Sequence, residues 1–261
     1  MLQTDRLMFE QLFHDRQAAS RAKHFATVRS DLVFHDDDYL DHETWIRPAV
    51  AKLGDLKGKQ ILDFGCGHGI ASTVFARHGA IVTAFDLSPG YVREAKERAE
   101  ANGVQVQFVV ADGERLPFAD ESFVAIWGSA ILHHLDLAVS GRELQRVLKP
   151  GGVAVFCEPW GGNPLLRFAR SYLPYPGKHR TPDEEPLTPG MLAKLCNVFP
   201  ELTVEPQQLL GMVGRVWRNR MLATGFAKVD LRLFQLMPRL GLLCRYVVVK
   251  MKKEIAANSR R

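Results

Sequence analysis

Apolar residues along this chain fall into short continuous runs, each stopped by glycine or a carboxylate, with helix-period segments between them. The first run is Ile61-Leu62, closing in Asp63-Phe64-Gly65-Cys66-Gly67-His68-Gly69. Residues 80–85 form the second, ending in Asp86-Leu87-Ser88, and Phe108-Val109-Val110 the third, ending in Ala111-Asp112-Gly113. Residues 123–127 form the fourth and lead into Gly128-Ser129-Ala130. A turn, Leu148-Lys149-Pro150-Gly151-Gly152, feeds the fifth at 153–157, which stops at Glu158. Unbroken apolar runs of this length predict strands buried on both faces. Segments 89–102 and 138–148 carry a helical period and predict crossover helices. Alternating strands and helices predict an α/β parallel sheet whose ligands bind at the carboxyl ends of its strands.

Outside this core the pattern is looser. Residues 1–55 predict an N-terminal helical cap, with Leu2, Leu7, Phe9, Leu12 and Phe13 as apolar contacts and a break at Pro48 after Trp45. The core itself spans 56–160. Residues 161–261 predict an acceptor-side excursion, a helical insertion and the closing strands of the same domain. Within them, 161–189 is rich in proline and glycine and predicts an irregular excursion. Thr188 and Pro189 have the character of an N-cap and first helical position for a helix reaching 199. Segments 202–210 and 244–250 predict the last two strands. Between them 221–237 has helical periodicity, which fits either an insertion over the active site or a packing or dimer helix.

The glycine loop carries the first functional information. Gly65, Gly67 and Gly69 give G-x-G-x-G, whereas a dinucleotide fingerprint would place its third glycine at position 70, which is Ile70. Such a loop turns sharply and brings backbone close to a ligand. Five motifs then occur in order: the loop at 62–69, Asp86-Leu87-Ser88, the stretch 111–118, Leu132-His133-His134-Leu135, and Leu148-Lys149-Pro150-Gly151-Gly152. On these residues the chain resembles the class I S-adenosylmethionine-dependent methyltransferases, especially their small-molecule branch. The resemblance covers about residues 59–158. It implies a Rossmann-like, seven-stranded, mostly parallel sheet with helices on both faces and an antiparallel last strand. One departure is His68, where a small residue such as Thr is usual; it bears on what lies over the methionine end of the cofactor.

Site residues follow from strand ends and from the resemblance together. Backbone amides around Gly65, Cys66, Gly67 and Gly69 are expected to face the methionine part and ribose of S-adenosyl-L-methionine. Asp86 closes the second strand, where a carboxylate can accept from both ribose hydroxyls. The resemblance implies that Leu87 packs on the adenine. Asp112 ends the third strand, from which it can accept from the adenine amino group, with Gly113 leaving room beside the ring. A helix N-cap or turn acid is the bland alternative for both acids. Asp63 is expected to organise the loop from behind, and Ser129 to border the cofactor at the end of the fourth strand.

Methyl transfer needs nucleophile, carbon and sulfur brought into line. A hydroxyl or ammonium acceptor must also lose a proton, which suits histidine. His133 and His134 lie at the mouth of the fourth strand, and related enzymes often keep a functional histidine there. Either is a candidate base or acceptor-positioning group; the alternative is an imidazole that caps the turn. Adjacent helical side chains diverge by about 100°, so the pair does not suggest a metal site, and none is expected. His35-Asp36-Asp37-Asp38 suggests a solvated helix cap more than a cation site. Tyr39 is a further candidate for the cofactor carboxylate, and His179, Arg180 and Asp183 to Glu185 for acceptor recognition.

Composition narrows the classes. At 261 residues the chain can bury one full core. Its four cysteines, Cys66, Cys157, Cys196 and Cys244, are widely spaced without a C-x-x-C pair and read as free thiols. The first ten residues are charged and lack an apolar signal core, so a cytoplasmic protein is the expectation. Net charge is +5, unevenly placed: residues 201–261 hold twelve Lys/Arg against four Asp/Glu, the rest 22 against 25. That basic, apolar end suggests contact with anionic membrane or nucleic acid, or simply a solvated helix face. A nucleic-acid methyltransferase is disfavoured by the missing Asn/Asp-Pro-Pro-aromatic run after the fourth strand, where Trp127-Gly128-Ser129-Ala130 stands. A small-molecule or lipid-like acceptor, methylated on O, N or C, is the leading expectation. A non-catalytic cofactor-binding module is the third possibility. Oligomeric state has no signature here.

Overall fold

Seven strands build one sheet in a computed structural model that describes residues 3–172, 185–215 and 220–255. They are β1 (Gln60–Phe64), β2 (Ile81–Asp86), β3 (Gln107–Val110), β4 (Phe123–Ser129), β5 (Leu148–Pro159), β6 (Glu201–Gln207) and β7 (Tyr246–Lys252). Their order is β3-β2-β1-β4-β5-β7-β6, and β7 runs antiparallel to both its neighbours. The helices are α1 (Gln3–Phe25), α2 (Asp36–Leu40), α3 (Ile46–Ala51), α4 (Ile70–Arg77), α5 (Pro89–Ala101), α6 (Leu137–Val147), α7 (Pro164–Tyr172), α8 (Pro189–Cys196) and α9 (Arg220–Leu236).

Successive strand residues feed opposite layers, which explains the unbroken apolar runs. Leu62, Ile126, Phe156 and Val249 pack with Leu144 of α6 and Leu195 of α8. Their neighbours Ile61, Ala125, Val155 and Val248 pack on the other face with Ala49 of α3 and Phe75 of α4. Strand order reverses around β1, which lies between β2 and β4. Connections to the two sides diverge there and leave a crevice at the strand ends.

Several expectations need correction. Pro48 does not break a helix: it lies in the first turn of α3, where its missing N–H costs nothing. Leu148-Lys149-Pro150-Gly151-Gly152 is a bulge within β5, paired on both sides, with Gly151 at φ +78°. The excursion at 161–189 opens with α7, because Asn163 accepts from the amides of Leu165 and Leu166 and Pro164 starts the helix. His179, Arg180, Asp183 and Glu184 lie outside the described residues, as does Leu2. On α1, Phe9 and Leu12 are exposed, at 52% and 47%, and are not core contacts. The helix expected at 221–237 exists as α9. It packs against β6 and the short 3-10 segments Leu210–Arg215 and Pro238–Leu243. Its buried Asp230 accepts from the amides of Leu209, Leu210 and Gly211 at 2.8–3.0 Å. Among the described residues no helix is long and apolar enough to cross a membrane.

Candidate active site

A cavity of about 680 Å³ opens at the carboxyl ends of β1, β2 and β4. Asp63, Gly65, Cys66, Gly67, Asp86, Leu87, Asp112, Gly113, Ser129 and His134 all line it. Four separate chain segments therefore deliver the expected residues to one space. His133 does not line it.

The loop after β1 is held by hydrogen bonds from several of its own amides. Gly65, Gly67 and Gly69 have φ of +68°, +52° and +76°, which L side chains rarely adopt. Cys66 donates its amide to the Phe85 carbonyl at 2.8 Å, and Gly69 donates to the Cys66 carbonyl at 2.9 Å. Gly67 donates to Asp86 Oδ2 at 2.8 Å. The expectation that the Cys66, Gly67 and Gly69 amides face a ligand is thus corrected: Cys66 and Gly67 bond to the end of β2, and Gly69 bonds within the loop. A Cβ at Gly67 would meet nothing within 4 Å, so that position borders open space.

Two acids beside this loop are depleted of water. Asp86 is 8% exposed, and its Oδ1 accepts from the Ser88 amide at 2.9 Å. Burial pushes its pKa up to about 6, against the bonds from Ser88 and Gly67 that hold it down. Asp63 is 2% exposed and accepts from Ser72 Oγ, in the first turn of α4, at 2.5 Å. Burial raises it to about 7. Asp112 stands differently, half-buried, its Oδ1 accepting from the Glu114 amide at 2.9 Å.

Raised folded-state values fix the sign of a pH response. Protonation of Asp63 and Asp86 favours the fold, and that stability is lost as pH rises through about 6 and 7. The thermal midpoint of the ligand-free protein should therefore climb as pH falls from above 7 to below 6. A hydroxyl donor needs Asp86 ionised, so affinity for a diol-bearing ligand should fall over the same range. Parallel melting and titration series check that the two trends oppose one another.

The histidines divide sharply. His133 is 8% exposed, and its Nδ1 lies 2.7 Å from Glu158 Oε2. Glu158, fully buried at the end of β5, also accepts from the amides of Ile131 and Leu132 at 2.9 Å. His133 thus helps clamp the turn after β4 and is corrected from catalytic candidate to a buried packing group. His134 faces the cavity, with Nδ1 3.3 Å from Glu10 Oε1 and its ring 6.2 Å from that of His14. It lies near enough to Asp86 that a positive charge on the ring would help hold that carboxyl down. His68 lines the cavity as well, and burial beside Arg98 lowers it to about 4, leaving it neutral.

The N-terminal cap expected at 1–55 lines the cavity, through residues of which the sequence singled out only Tyr39 as a cofactor contact. Leu7, Glu10 and His14 of α1 line it, as do Phe34 and Tyr39. Arg6 bonds the buried Glu114, Asp15 accepts from the Gly90 amide at 2.9 Å, and Arg21 pairs with Glu94 at 2.9 Å. Glu10 and His14 are one helical turn apart, a weak signal that α1 aims polar groups inward. Burial raises the Tyr39 hydroxyl well above its ordinary value, and Asp63 is the next cause. The acidic run is a cap: His35 and Asp38 form a capping box, and Asp36 pairs with Arg77 at 2.6 Å. No metal-ligand cluster occurs among the described residues. Cys66, Cys157, Cys196 and Cys244 are free thiols.

Comparison with known proteins adds to this geometry. Residues 62–156 match the family described as a methyltransferase domain. A demethylmenaquinone methyltransferase of Beutenbergia cavernae is 39% identical over 121 residues, 44% of this chain and 49% of that protein. A malonyl-[acyl-carrier protein] O-methyltransferase of Pseudescherichia vulneris is 39% identical over 108 residues, 41% of each. The chain spans about half the length of the curated relatives it matches. A crystal structure of an S-adenosylmethionine-dependent methyltransferase from Mesorhizobium loti superposes with a TM-score of 0.56 at 20% identity, over 82% of this chain and all of that one. That likeness concerns the fold.

Proposed function

We propose, from the match of residues 62–156 to the methyltransferase domain family, that this chain transfers a methyl group from S-adenosylmethionine to a small-molecule or lipid-like acceptor. The observation that carries the reading is convergence. Residues picked from the ends of β1, β2, β3 and β4, His133 excepted, line one cavity. The donor set suits the cofactor: Asp86 for the ribose hydroxyls, Asp112 and Gly113 for the adenine, and Leu87 for its face. Gly65, Cys66, Gly67 and Ser129 border the methionine end, with Asp63 and Tyr39 beside them.

When bound, the sulfonium supplies an electrophilic methyl. The chain's own residues orient, exclude water and manage the proton. Neutral His68 adds no positive charge against a sulfonium, which an imidazolium would do at a cost. Leu7, Phe34 and Ile131 give the cavity apolar walls. His134 is positioned to take a proton from an acceptor, its Nδ1 next to Glu10. His134→Ala should lower turnover about tenfold or more while leaving cofactor affinity within a few-fold. The opposite pattern in steady-state kinetics and calorimetry would assign His134 to cofactor binding, a reading its closeness to Asp86 makes worth separating.

Relatives that share this domain include methyltransferases named for demethylmenaquinone and for malonyl-[acyl-carrier protein], so acceptors of either kind enter the test. Methyl-labelled S-adenosylmethionine incubated with protein and fractionated cell extract is expected to label a solvent-extractable compound or an acyl group released from a carrier protein by mild base. Label confined to a nuclease-sensitive precipitate would favour nucleic acid and contradict the proposal.

A further inference from the structure

We propose that the outward face of α9, with the 3-10 segment Pro238–Leu243 that follows, docks on an anionic lipid surface. The inward face of α9 is already committed. Phe234 is 9% exposed and Asp230 is 3% exposed, its carboxylate spent on three backbone amides. The other side presents Val229 and Leu236 at 45% and 80% exposure, and the stretch that follows adds Met237 and Leu242 at 56% and 51%. Val229 and Leu236 are seven residues apart and share a stripe, with Arg232 on the same side between them.

Charge on this surface has one sign. Lys228, Arg232 and Arg239 are exposed, while Asp230, turned inward, is the only acid of α9 and the segment after it. Apolar side chains in the acyl boundary, with lysine and arginine reaching up to the headgroups, make the pattern of a helix lying in a membrane interface. A second copy fits poorly, because a twofold contact over this face opposes like charges with no acid from it to offset them. Single-stranded nucleic acid recruits stacking aromatics, and here Phe226 is half-buried and Phe234 buried. The surface lies on the β6 side of the sheet and lines no part of the cavity, so it stands independently of the methyl-transfer reading.

Cosedimentation of the full chain with vesicles tests this directly. Vesicles of equal parts phosphatidylcholine and phosphatidylglycerol should bind it about tenfold more strongly than phosphatidylcholine alone, and added salt should weaken the binding. The triple variant Lys228→Glu, Arg232→Glu, Arg239→Glu and the single variant Leu236→Asp should each lose about tenfold, with parental melting temperatures. Equal partition to both vesicle types overturns the proposal. So does parental binding by both variants. Retention on single-stranded RNA without vesicle binding, or a dimer that these substitutions dissolve without vesicle binding, overturns it too.

Discussion

Asp86→Ala is expected to weaken S-adenosylmethionine binding by about ten- to a hundredfold. Charge-assisted hydrogen bonds contribute ~1.5–3 kcal/mol, and about 1.4 kcal/mol corresponds to each factor of ten. The carboxylate sits at the end of β2 on the cavity wall and is only 8% exposed, so water replaces those bonds poorly. A second loss adds to the first. Asp86 also holds the Gly67 and Ser88 amides, and alanine releases both. Asp86→Asn separates the effects, since it keeps one acceptor oxygen but sets an amide donor where two acceptors were used. Its affinity should fall between the parent and Asp86→Ala. Calorimetric titration of all three proteins decides the matter, and equal affinities would remove Asp86 from the site.

Gly69→Ala is expected to damage the fold itself. The residue has φ +76°, and a Cβ there would stand 2.6 Å from Ala95 Cβ and 2.9 Å from Ala95 Cα. Ala95 is in the middle of α5 and fully buried, so relief requires the helix to move. Left-handed backbone costs ~1–2 kcal/mol and overpacking ~1–3 kcal/mol, together about 2–5 kcal/mol. For a domain of this size that is a fall of roughly 5–15 °C in melting temperature. Gly190→Ala is the control. It lies in the first turn of α8 with nothing within 4 Å of a new Cβ, and should melt close to the parent. Equal melting of Gly69→Ala and the parent would contradict the packing of the loop on α5.

The parallel core was legible because burial on both faces leaves a simple trace. Ile61 and Leu62 face opposite layers, yet both must be apolar, so the run shows without any alternation. The carboxylates at strand ends were legible for a related reason: an acid that follows such a run has little use in a core. An N-terminal cap was legible, and so was Tyr39, but the residues of α1 that line the cavity were not. Glu10 reaches a histidine 124 positions away, and nothing in the local pattern of α1 says which face turns inward. His133 and His134 are neighbours of the same type, and only the buried Glu158 decides which of them faces the cavity. Sequence shows the glycine at 67 but not the Asp86 oxygen its amide meets, so a ligand-facing amide is the expectation there. At 163–164, Asn followed by Pro was a helix start concealed in a proline- and glycine-rich stretch.

Titrating the purified chain with S-adenosylmethionine and, in parallel, with a nicotinamide dinucleotide tests the central claim most directly. Saturable one-site binding of the sulfonium compound, lost on acidification below pH 6 and absent for the dinucleotide, is the expected result. Tight dinucleotide binding by a chain that ignores the sulfonium at millimolar concentration would contradict it.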